Sequence, residues 1–195
     1  MATKAEQTER TRAALIRAGR DLFAERGFAA TSTEELVRSA GVTRGALYHH
    51  FRDKRDLFEA VYEDVEQDLG ERITAVLGGV TDPMDVLRRG VGAFLDACLD
   101  PAVQRIALLE APTVLGWERW RELDQLHGLG LVQLALQGAM DAGAIRQSPI
   151  EPLSHVLFGA LMEAGMLLAS SPRPAAARKG VGQAIELVLE GLATR

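Results

Sequence analysis

Apolar residues recur every three or four positions along most of the chain, and no segment shows the strict alternation of a half-buried strand. In residues 9–25, apolar side chains at this spacing lie among Arg and Glu, and Gly27 follows as a helix stop. In residues 31–41, Thr31 precedes Glu34 by three positions, which predicts a short helix that starts with a capping box. The pattern therefore predicts an all-α protein.

A second short helix follows almost at once. The tripeptide Gly41-Val42-Thr43 leads into Arg44–His50, where Leu47 and Phe51 lie four residues apart and share one face of the helix. Two short helices joined by a tight turn that contains Gly are typical of a helix-turn-helix. Residues 53–56 then open a long helix with no flexible linker, so we expect the small N-terminal domain to be joined rigidly to the rest.

Proline and glycine mark where the later helices start and stop. Asp82-Pro83 and Asp100-Pro101 each place a capping Asp before a Pro at the first helical position, which predicts two helix starts. Pro112 is expected to end the second of these helices. A longer helix is predicted from Trp117 to about Ala142, with Gly143 as its stop.

The last two helices predict a dimer interface. Residues 153–169 are apolar nearly all round, so this helix has to be buried on more than one side. It contains small residues that allow another backbone to approach: Gly159, Ala160, Ala164 and Gly165. The final helix, about 174–193, carries an apolar stripe: Val181, Ala184, Ile185, Val188 and Leu192. Together they resemble half of a four-helix dimer interface, and the alternative is that both helices line the core of a monomer.

The charge of the chain is unevenly distributed. The 195 residues have a formal net charge of -5, but residues 1–56 carry 11 basic and 8 acidic side chains, which leaves the remainder at -8. A basic N-terminal module on an acidic body suits contact with phosphate, although a solvated surface would have the same charge. The sequence shows neither an apolar leader nor a membrane-spanning run of about 18 residues, so we expect no membrane partner and a cytoplasmic location.

The single cysteine, Cys98, excludes a disulfide within the chain and fits a reducing compartment. It lies between apolar neighbours, so we interpret it as a small buried hydrophobic residue. A redox sensor and a ligand-binding thiol stay open as alternatives.

The predicted helix Arg44–His50 has a shallow outward face. If Leu47 points into the small domain, helical geometry places Gly45 and His49 about 160° from it, with Ala46 and Tyr48 at about 100°. Small residues on this face let the backbone approach base edges in a major groove about 12 Å wide. This face is therefore a candidate docking surface for double-stranded DNA.

Groups that suit phosphate oxygens surround this face. Thr43 is a candidate N-cap, so the helix N-terminus beside it suits an anion, and Arg44 can reach a guanine edge or the DNA backbone. Further candidates share a hydroxyl, imidazole or ammonium donor for phosphate: Thr33, Tyr48, His49, His50 and Lys54. Each residue alone also has a plain structural explanation, such as a solvated helix end, and it is their grouping that favours DNA.

Other chemistries have less support. Neighbouring histidines on a helix point about 100° apart, and no nearby Cys or carboxylate completes a tetrahedral set with His49 and His50, so no metal is expected. The sequence has no Gly-rich phosphate loop after a strand, no Glu-x-x-His pair and no nucleophile with a suitably spaced base. We expect neither catalysis nor a cofactor, and an enzyme built in the helical body is the weaker alternative.

Residues 9–58 resemble, without gaps, the DNA-binding domain of the tetracycline-repressor (TetR) family of bacterial transcription regulators. The matching positions are Gly27, Phe28, Thr31, Thr33, Ala40–Val42, Gly45, Leu47–Phe51, Lys54 and Leu57. The resemblance implies three helices in a DNA-binding domain, residues 1–56, and about six more in a ligand-binding and dimerisation domain, residues 57–195. It also implies binding to a palindromic operator as a homodimer, and release by a small-molecule inducer.

The same resemblance assigns roles to single residues. Positions commonly used for the DNA backbone are matched by Thr33, Thr43, Tyr48, His49, His50 and Lys54, and positions near bases by Arg44, Gly45 and Ala46. Many relatives carry Tyr where this chain has His49. The resemblance does not distinguish a repressor from an activator, or from a regulator that needs no inducer.

The inducer is expected to occupy an apolar pocket in the helical body, with a few polar groups to orient it. The candidate lining residues are Phe94, Leu109, Trp117, Trp120, His127, Leu131, Phe158 and Met162. For both tryptophans the core or the dimer interface is an alternative. His155 and Glu163 are polar groups in an apolar helix, and pairing across the dimer, ligand binding and exposure to solvent all stay open for them.

Overall fold

The computed structural model describes residues 3–194, and this part of the chain forms nine helical runs. Their α-helices are α1 Lys4–Arg26, α2 Thr33–Ala40, α3 Arg44–His50, α4 Lys54–Val76, α5 Pro83–Ala97, α6 Ala111–Leu115, α7 Trp117–Asp124, α8 Gly130–Asp141, α9 Ile150–Ser170 and α10 Pro174–Leu192. Val103–Glu110 and Gln125–Leu129 are π-helical and continue directly into α6 and α8. Within the described range the only β-type pairing is an isolated bridge between Ile145 and Ala193. The predicted all-α fold is confirmed.

The described chain forms two compact units. The first comprises the residues up to Val65 together with Pro101–Trp120, and the second comprises Glu66–Asp100 together with the residues from Arg121 onward. The π-helical segment Val103–Glu110 packs against α1, although the two are far apart in the sequence. These units are defined by packing. The division into a DNA-binding domain, residues 1–56, and a ligand-binding and dimerisation domain, residues 57–195, is one of function and stays a prediction.

Helices α1, α2 and α3 pack against one another in pairs and share one core. Each helix contributes apolar side chains with no exposed surface, namely Leu15 and Phe23 from α1, Leu36 from α2 and Leu47 from α3. The Phe23 ring also lies 5.3 Å, between centroids, from that of Phe58 on α4. Burial of such side chains stabilises the fold by about 1.5–3 kcal/mol each, so this core fixes the direction in which α3 faces outward.

The start of α2 differs by one residue from the prediction. Ser32 is the N-cap, because its hydroxyl accepts the N–H of Glu35 at 3.2 Å and Glu35 accepts the N–H of Ser32 at 2.9 Å. The predicted capping box of Thr31 and Glu34 is wrong. Thr31 is buried, and its hydroxyl donates instead to the carbonyl of Gly27 at 2.8 Å.

Two later boundaries also differ from the prediction. Pro112 does not end a helix but lies in the first turn of α6. The long helix predicted from Trp117 is helical through Asp141, but it passes through the π-helical segment Gln125–Leu129. Gly143, with a φ of 71°, follows it as the predicted stop.

In the second unit, α5, α8, α9 and α10 pack against one another. By length and composition alone α9 is apolar enough to cross a membrane, a property that core helices of water-soluble proteins share, and 39% of the stretch concerned is buried within the chain. Part of its remaining surface exposes Val156, Met166 and Leu167. The chain itself therefore leaves an apolar side of α9 uncovered.

Candidate nucleic-acid interface

Helix α3 buries one side chain, that of Leu47, and turns most of the others outward. Thr43 is the N-cap, as predicted, and its hydroxyl accepts the N–H of Ala46 at 3.1 Å. Arg44, Gly45, Tyr48 and His49 are exposed, whereas Ala46 and His50 are half-buried. These exposures agree with the outward face predicted from the position of Leu47.

The space around Gly45 is open. A Cβ atom built at this position would meet only the hydroxyl of Thr43, at 3.9 Å, and Gly45 is not among the residues with positive φ. Packing and backbone geometry thus permit any side chain here, while glycine lowers the stability of a helix by about 1 kcal/mol relative to alanine. An open and exposed glycine suits close approach to DNA in a major groove, and this contact stays a prediction.

Arg44 is held by neighbouring side chains. Its Nη1 atom lies 2.8 Å from Oε1 of Glu34 on α2, and its Cζ atom lies 5.6 Å from the centroid of the Tyr48 ring. Sequence reasoning missed Glu34 as a site residue, because an ion pair between two helices over ten positions leaves no local pattern.

Lys54 has a structural role that the sequence did not indicate. Its Nζ atom donates to the carbonyl oxygens of Phe28 at 2.7 Å and Thr31 at 2.8 Å, and it lies 4.1 Å from the centroid of the Phe28 ring. An ammonium group has three donors, so one N–H is left for a phosphate. The contact with DNA stays a prediction, while two donors of Lys54 hold the turn between α1 and α2.

We expect the substitution Lys54→Met to lower the free energy of unfolding by about 2 kcal/mol, because hydrogen bonds from a charged donor to partly buried carbonyls are lost while the aliphatic stem is kept. Urea unfolding measures this change. Arg17→Met, on the exposed side of α1, is the control for removal of a positive charge. If Lys54→Met unfolds like the wild type and only weakens DNA binding, then the ammonium group serves DNA rather than the turn.

Two further predicted phosphate contacts, Thr33 and His50, lie at the start of α2 and at the end of α3. Thr33 is the first residue of α2, directly after the cap Ser32, and is half-buried. Burial lowers the pKa of His50, and the neighbouring His49 and Arg12 lower it further. At neutral pH, His50 is therefore an uncharged imidazole that can donate one N–H to a phosphate.

A segment from later in the chain contacts the turn that leads into α2. Glu110 accepts the N–H of Phe28 at 2.7 Å, and Arg105 donates to the carbonyl of Glu25 at 2.8 Å. Gly27 has a φ of 84°, and a Cβ atom there would overlap the carboxylate of Glu110. The glycine thus serves both the turn and this contact, which joins positions 82 residues apart and leaves no sign in the local sequence.

Comparison with known proteins identifies this arrangement. Residues 15–61 match the sequence profile described as bacterial regulatory proteins, tetR family, and residues 84–192 match the profile of the tetracyclin repressor-like C-terminal domain. The chain belongs to the TetR family.

Individual relatives of this TetR-family chain cover it to different extents. A crystal structure of a TetR-family transcriptional regulator from Pectobacterium atrosepticum is 33% identical, with a TM-score of 0.83 over 100% of this chain and 99% of that one. The transcriptional regulator AcrR of Shigella flexneri is 41% identical over 55% of this chain and 51% of its own length. The Tn10 TetC protein of Escherichia coli is 26% identical over 80% of this chain and 79% of its own. The match to AcrR thus spans about half the length of that regulator.

The candidate inducer-pocket residues of this TetR-family body are divided between the two units. Leu109, Trp117 and Trp120 belong to the first unit, and Leu109 and Trp117 expose 46% and 63% of their surface. The second unit contains Phe94, His127, Leu131, Phe158 and Met162. There a Cβ atom on Gly128 would lie 2.8 Å from the Phe158 ring, so this glycine of the π-helical segment makes room for the ring. The pocket itself stays a prediction.

Two acidic groups in the second unit have raised pKa values. Burial raises the pKa of Glu66 to about 8, and the carboxylate of Asp124 adds to the shift. Burial also raises the pKa of Asp124 to about 6, against the effect of the Arg121 guanidinium 3.4 Å away. The pKa of the buried Cys98 thiol rises to about 12, mainly through burial. At neutral pH, Glu66 is therefore largely protonated and Cys98 is an uncharged thiol.

The stability of the chain is expected to fall as the pH rises from about 5 to about 8. In the unfolded chain Glu66 ionises near pH 4.5, whereas in the folded chain it keeps its proton up to about pH 8, so folding is favoured most at acidic pH. Asp124 acts in the same direction up to about pH 6. We expect Glu66→Gln to raise the melting temperature at about pH 8 and to reduce its change with pH. Equal pH profiles for the wild type and the variant would contradict this assignment.

Proposed function

We propose that this TetR-family regulator is a repressor that binds a palindromic operator as a homodimer and is released from it by a small molecule. The observation that carries the DNA-binding part is the open, exposed position of Gly45 in the first turn of α3. A glycine that neither packing nor backbone requires is explained by a groove that the helix has to enter. Such a protein acts in the cytoplasm, where its DNA is accessible.

In the proposed complex, each α3 enters a major groove, and the two α3 helices of a dimer lie about 34 Å apart, one turn of DNA. Arg44, Gly45 and Ala46 face the bases. Thr33, Thr43, Tyr48, His49 and His50 bind phosphates, as does the remaining donor of Lys54. Helix N-termini and neutral donors supply most of these contacts, which suits a chain whose net charge is negative.

The dimer interface in this proposal is formed by the exposed apolar side of α9 and α10. Along α9 the exposed positions Val156, Gly159, Glu163, Met166 and Leu167 follow helical spacing, and along α10 so do Gly180, Ala184, Leu187, Val188 and Gly191. Ala164 and Gly165 are buried within the chain instead. On α9, Gly159 is therefore the small residue at which a partner helix can approach closely. Glu163 lies on the proposed interface and His155 is half-buried beside it.

The proposed inducer site lies within the second unit, among Phe94, His127, Leu131, Phe158 and Met162. The exposed Leu109 and Trp117 are left out of it, because a pocket that buries most of a ligand needs shielded walls. A ligand in this site weakens DNA binding only to the extent that it binds the DNA-free conformation more tightly than the DNA-bound one.

Electrophoretic mobility shift with the intergenic DNA beside the gene tests the proposed function. We expect a retarded complex that persists in excess unrelated DNA, weakens as the salt concentration rises and has the stoichiometry of one dimer per operator. A thermal-shift screen of apolar and amphipathic compounds then supplies ligands for release from that complex. No binding to any DNA at low salt would exclude the function. A reporter gene that loses expression when the regulator is deleted would show an activator.

A further inference from the structure

Three side chains form a connected group on the outward side of the helix-turn-helix: Glu34 from α2, and Arg44 and Tyr48 from α3. Nη1 of Arg44 lies 2.8 Å from Oε1 of Glu34, and the guanidinium carbon lies 5.6 Å from the Tyr48 ring centroid. The side chains of Arg44 and Glu34 expose 63% and 64% of their surface. The pair therefore faces the solvent from which DNA would approach.

The folded chain gains little stability from this ion pair. Pairs with both partners in solvent contribute about 0–1 kcal/mol, and many contribute nothing measurable. Arg44 is also the first residue of α3, where the positive end of the helix dipole disfavours a cation, whereas Glu34 is favoured in the first turn of α2. Glu34 thus compensates the charge of Arg44 at a position where the helix itself opposes it.

DNA binding makes the presence of Glu34 costly. A carboxylate on the docking surface is repelled by every phosphate nearby, so it weakens binding to DNA of any sequence. A guanidinium group has five N–H donors in a fixed plane, and a guanine edge takes two of them. When Glu34 accepts from Nη1, the orientation of that plane is restricted while other donors stay available for a base.

We propose that Glu34 is a positioning residue for sequence recognition: it holds the guanidinium of Arg44 in the orientation that contacts a G·C base pair, and it lowers the affinity for other DNA. This role rests on the proposed docking of α3 in a major groove. The Tyr48 ring is the second neighbour of the guanidinium, with 5.6 Å between its centroid and Cζ of Arg44.

Binding of the full chain to a panel of operator duplexes, each with one base pair changed, tests this role. The parent duplex is selected from a random-sequence library. Discrimination is the ratio of the affinity for the parent duplex to that for a duplex with one changed base pair. Arg44→Ala is expected to lower this ratio by about tenfold or more at one or two positions in each half-site. Glu34→Gln is expected to lower the preference for the parent base pair at those same positions by about threefold or more and to bind unrelated DNA more tightly. In the Arg44→Ala background it should cause no further loss of that preference, while the tighter binding to unrelated DNA remains.

Two further variants separate orientation from charge. Glu34→Asp keeps the charge but shortens the side chain, so we expect lost discrimination with the affinity for unrelated DNA unchanged. Glu9→Gln removes a charge from an exposed position of α1 and is expected to raise binding to all duplexes alike, if it changes binding at all. Melting temperatures within about 2 °C of the wild type show that the fold is intact in each variant.

The outcomes distinguish this role from the proposed function. A uniform change across the whole panel in Glu34→Gln, as in Glu9→Gln, would overturn positioning and leave Glu34 as a simple repulsive charge. Unchanged discrimination in Arg44→Ala would overturn it as well, while DNA binding through α3 would stand. Failure of the wild type to select any duplex would instead exclude the proposed function.

Discussion

Replacement of Gly45 by Leu is expected to lower the affinity for operator DNA by at least about 100-fold and to leave the stability of the chain equal or slightly higher. A Cβ atom at this position meets only the hydroxyl of Thr43, at 3.9 Å, and the position is exposed, so the free protein has room for a side chain that extends into solvent. In the complex it would hold α3 away from the bases, and several contacts worth about 1–3 kcal/mol each would be lost together. Fluorescence anisotropy with a labelled operator measures the affinity, and urea unfolding measures the stability.

Gly138→Leu is the matched control. Gly138 lies on α8, is exposed, and has no atom within 4 Å of a built Cβ, so the same change is made at a helical glycine outside the DNA-binding helices. This variant should bind the operator like the wild type. Gly45→Ala should show an intermediate loss of affinity together with higher stability. Wild-type affinity in Gly45→Leu would mean that this face of α3 does not enter the groove.

The sequence predicted α3 closely because every local signal agrees there. Thr43 supplies a cap, Leu47 supplies the buried position, and the turn before the helix contains Gly41. At the start of α2 the local signals are ambiguous, since Thr31 with Glu34 and Ser32 with Glu35 both fit a capping box. The structure has the second pair, and Thr31 is buried with its hydroxyl donating to the Gly27 carbonyl.

Features that depend on contacts between distant parts of the chain could not be predicted from the sequence. Lys54 matches a DNA-binding position of the family, but only the fold shows that its ammonium group also holds the carbonyls of Phe28 and Thr31. The contact of Glu110 with Phe28 and the ion pair of Glu34 with Arg44 likewise join separate elements. Local patterns report helix period and caps, whereas these side chains acquire their partners only when the elements pack.

The predicted dimer helices show the same limit. Composition indicated that α9 has more apolar surface than one chain covers, but not which residues lie on the uncovered side. Of the four small residues singled out, Ala164 and Gly165 are buried within the chain, whereas Gly159 is exposed. Of these three small residues, the fold therefore leaves Gly159 on the candidate interface and places Ala164 and Gly165 in the core.

The double substitution Val156→Arg and Leu187→Arg is expected to convert the protein to a monomer and to lower operator affinity by at least about 100-fold. These side chains expose 71% and 69% of their surface on α9 and α10. In a dimer interface, which typically buries about 800 Å² of each partner, the two charges would be desolvated without partners. A monomer also loses the gain of about 100-fold or more that comes from binding two half-sites at once.

Analytical ultracentrifugation measures the first effect and anisotropy with full and half operators measures the second. Leu126→Arg is the control, because Leu126 exposes 75% of its surface but lies in the π-helical segment before α8. It should remain a dimer. If the double variant also remains a dimer at micromolar concentration, the apolar side of α9 and α10 is not the interface. If the variant is a monomer but binds the operator as tightly as the wild type, then one copy of the chain is enough for operator binding. Dimerisation would in that case add nothing to the affinity of the wild type.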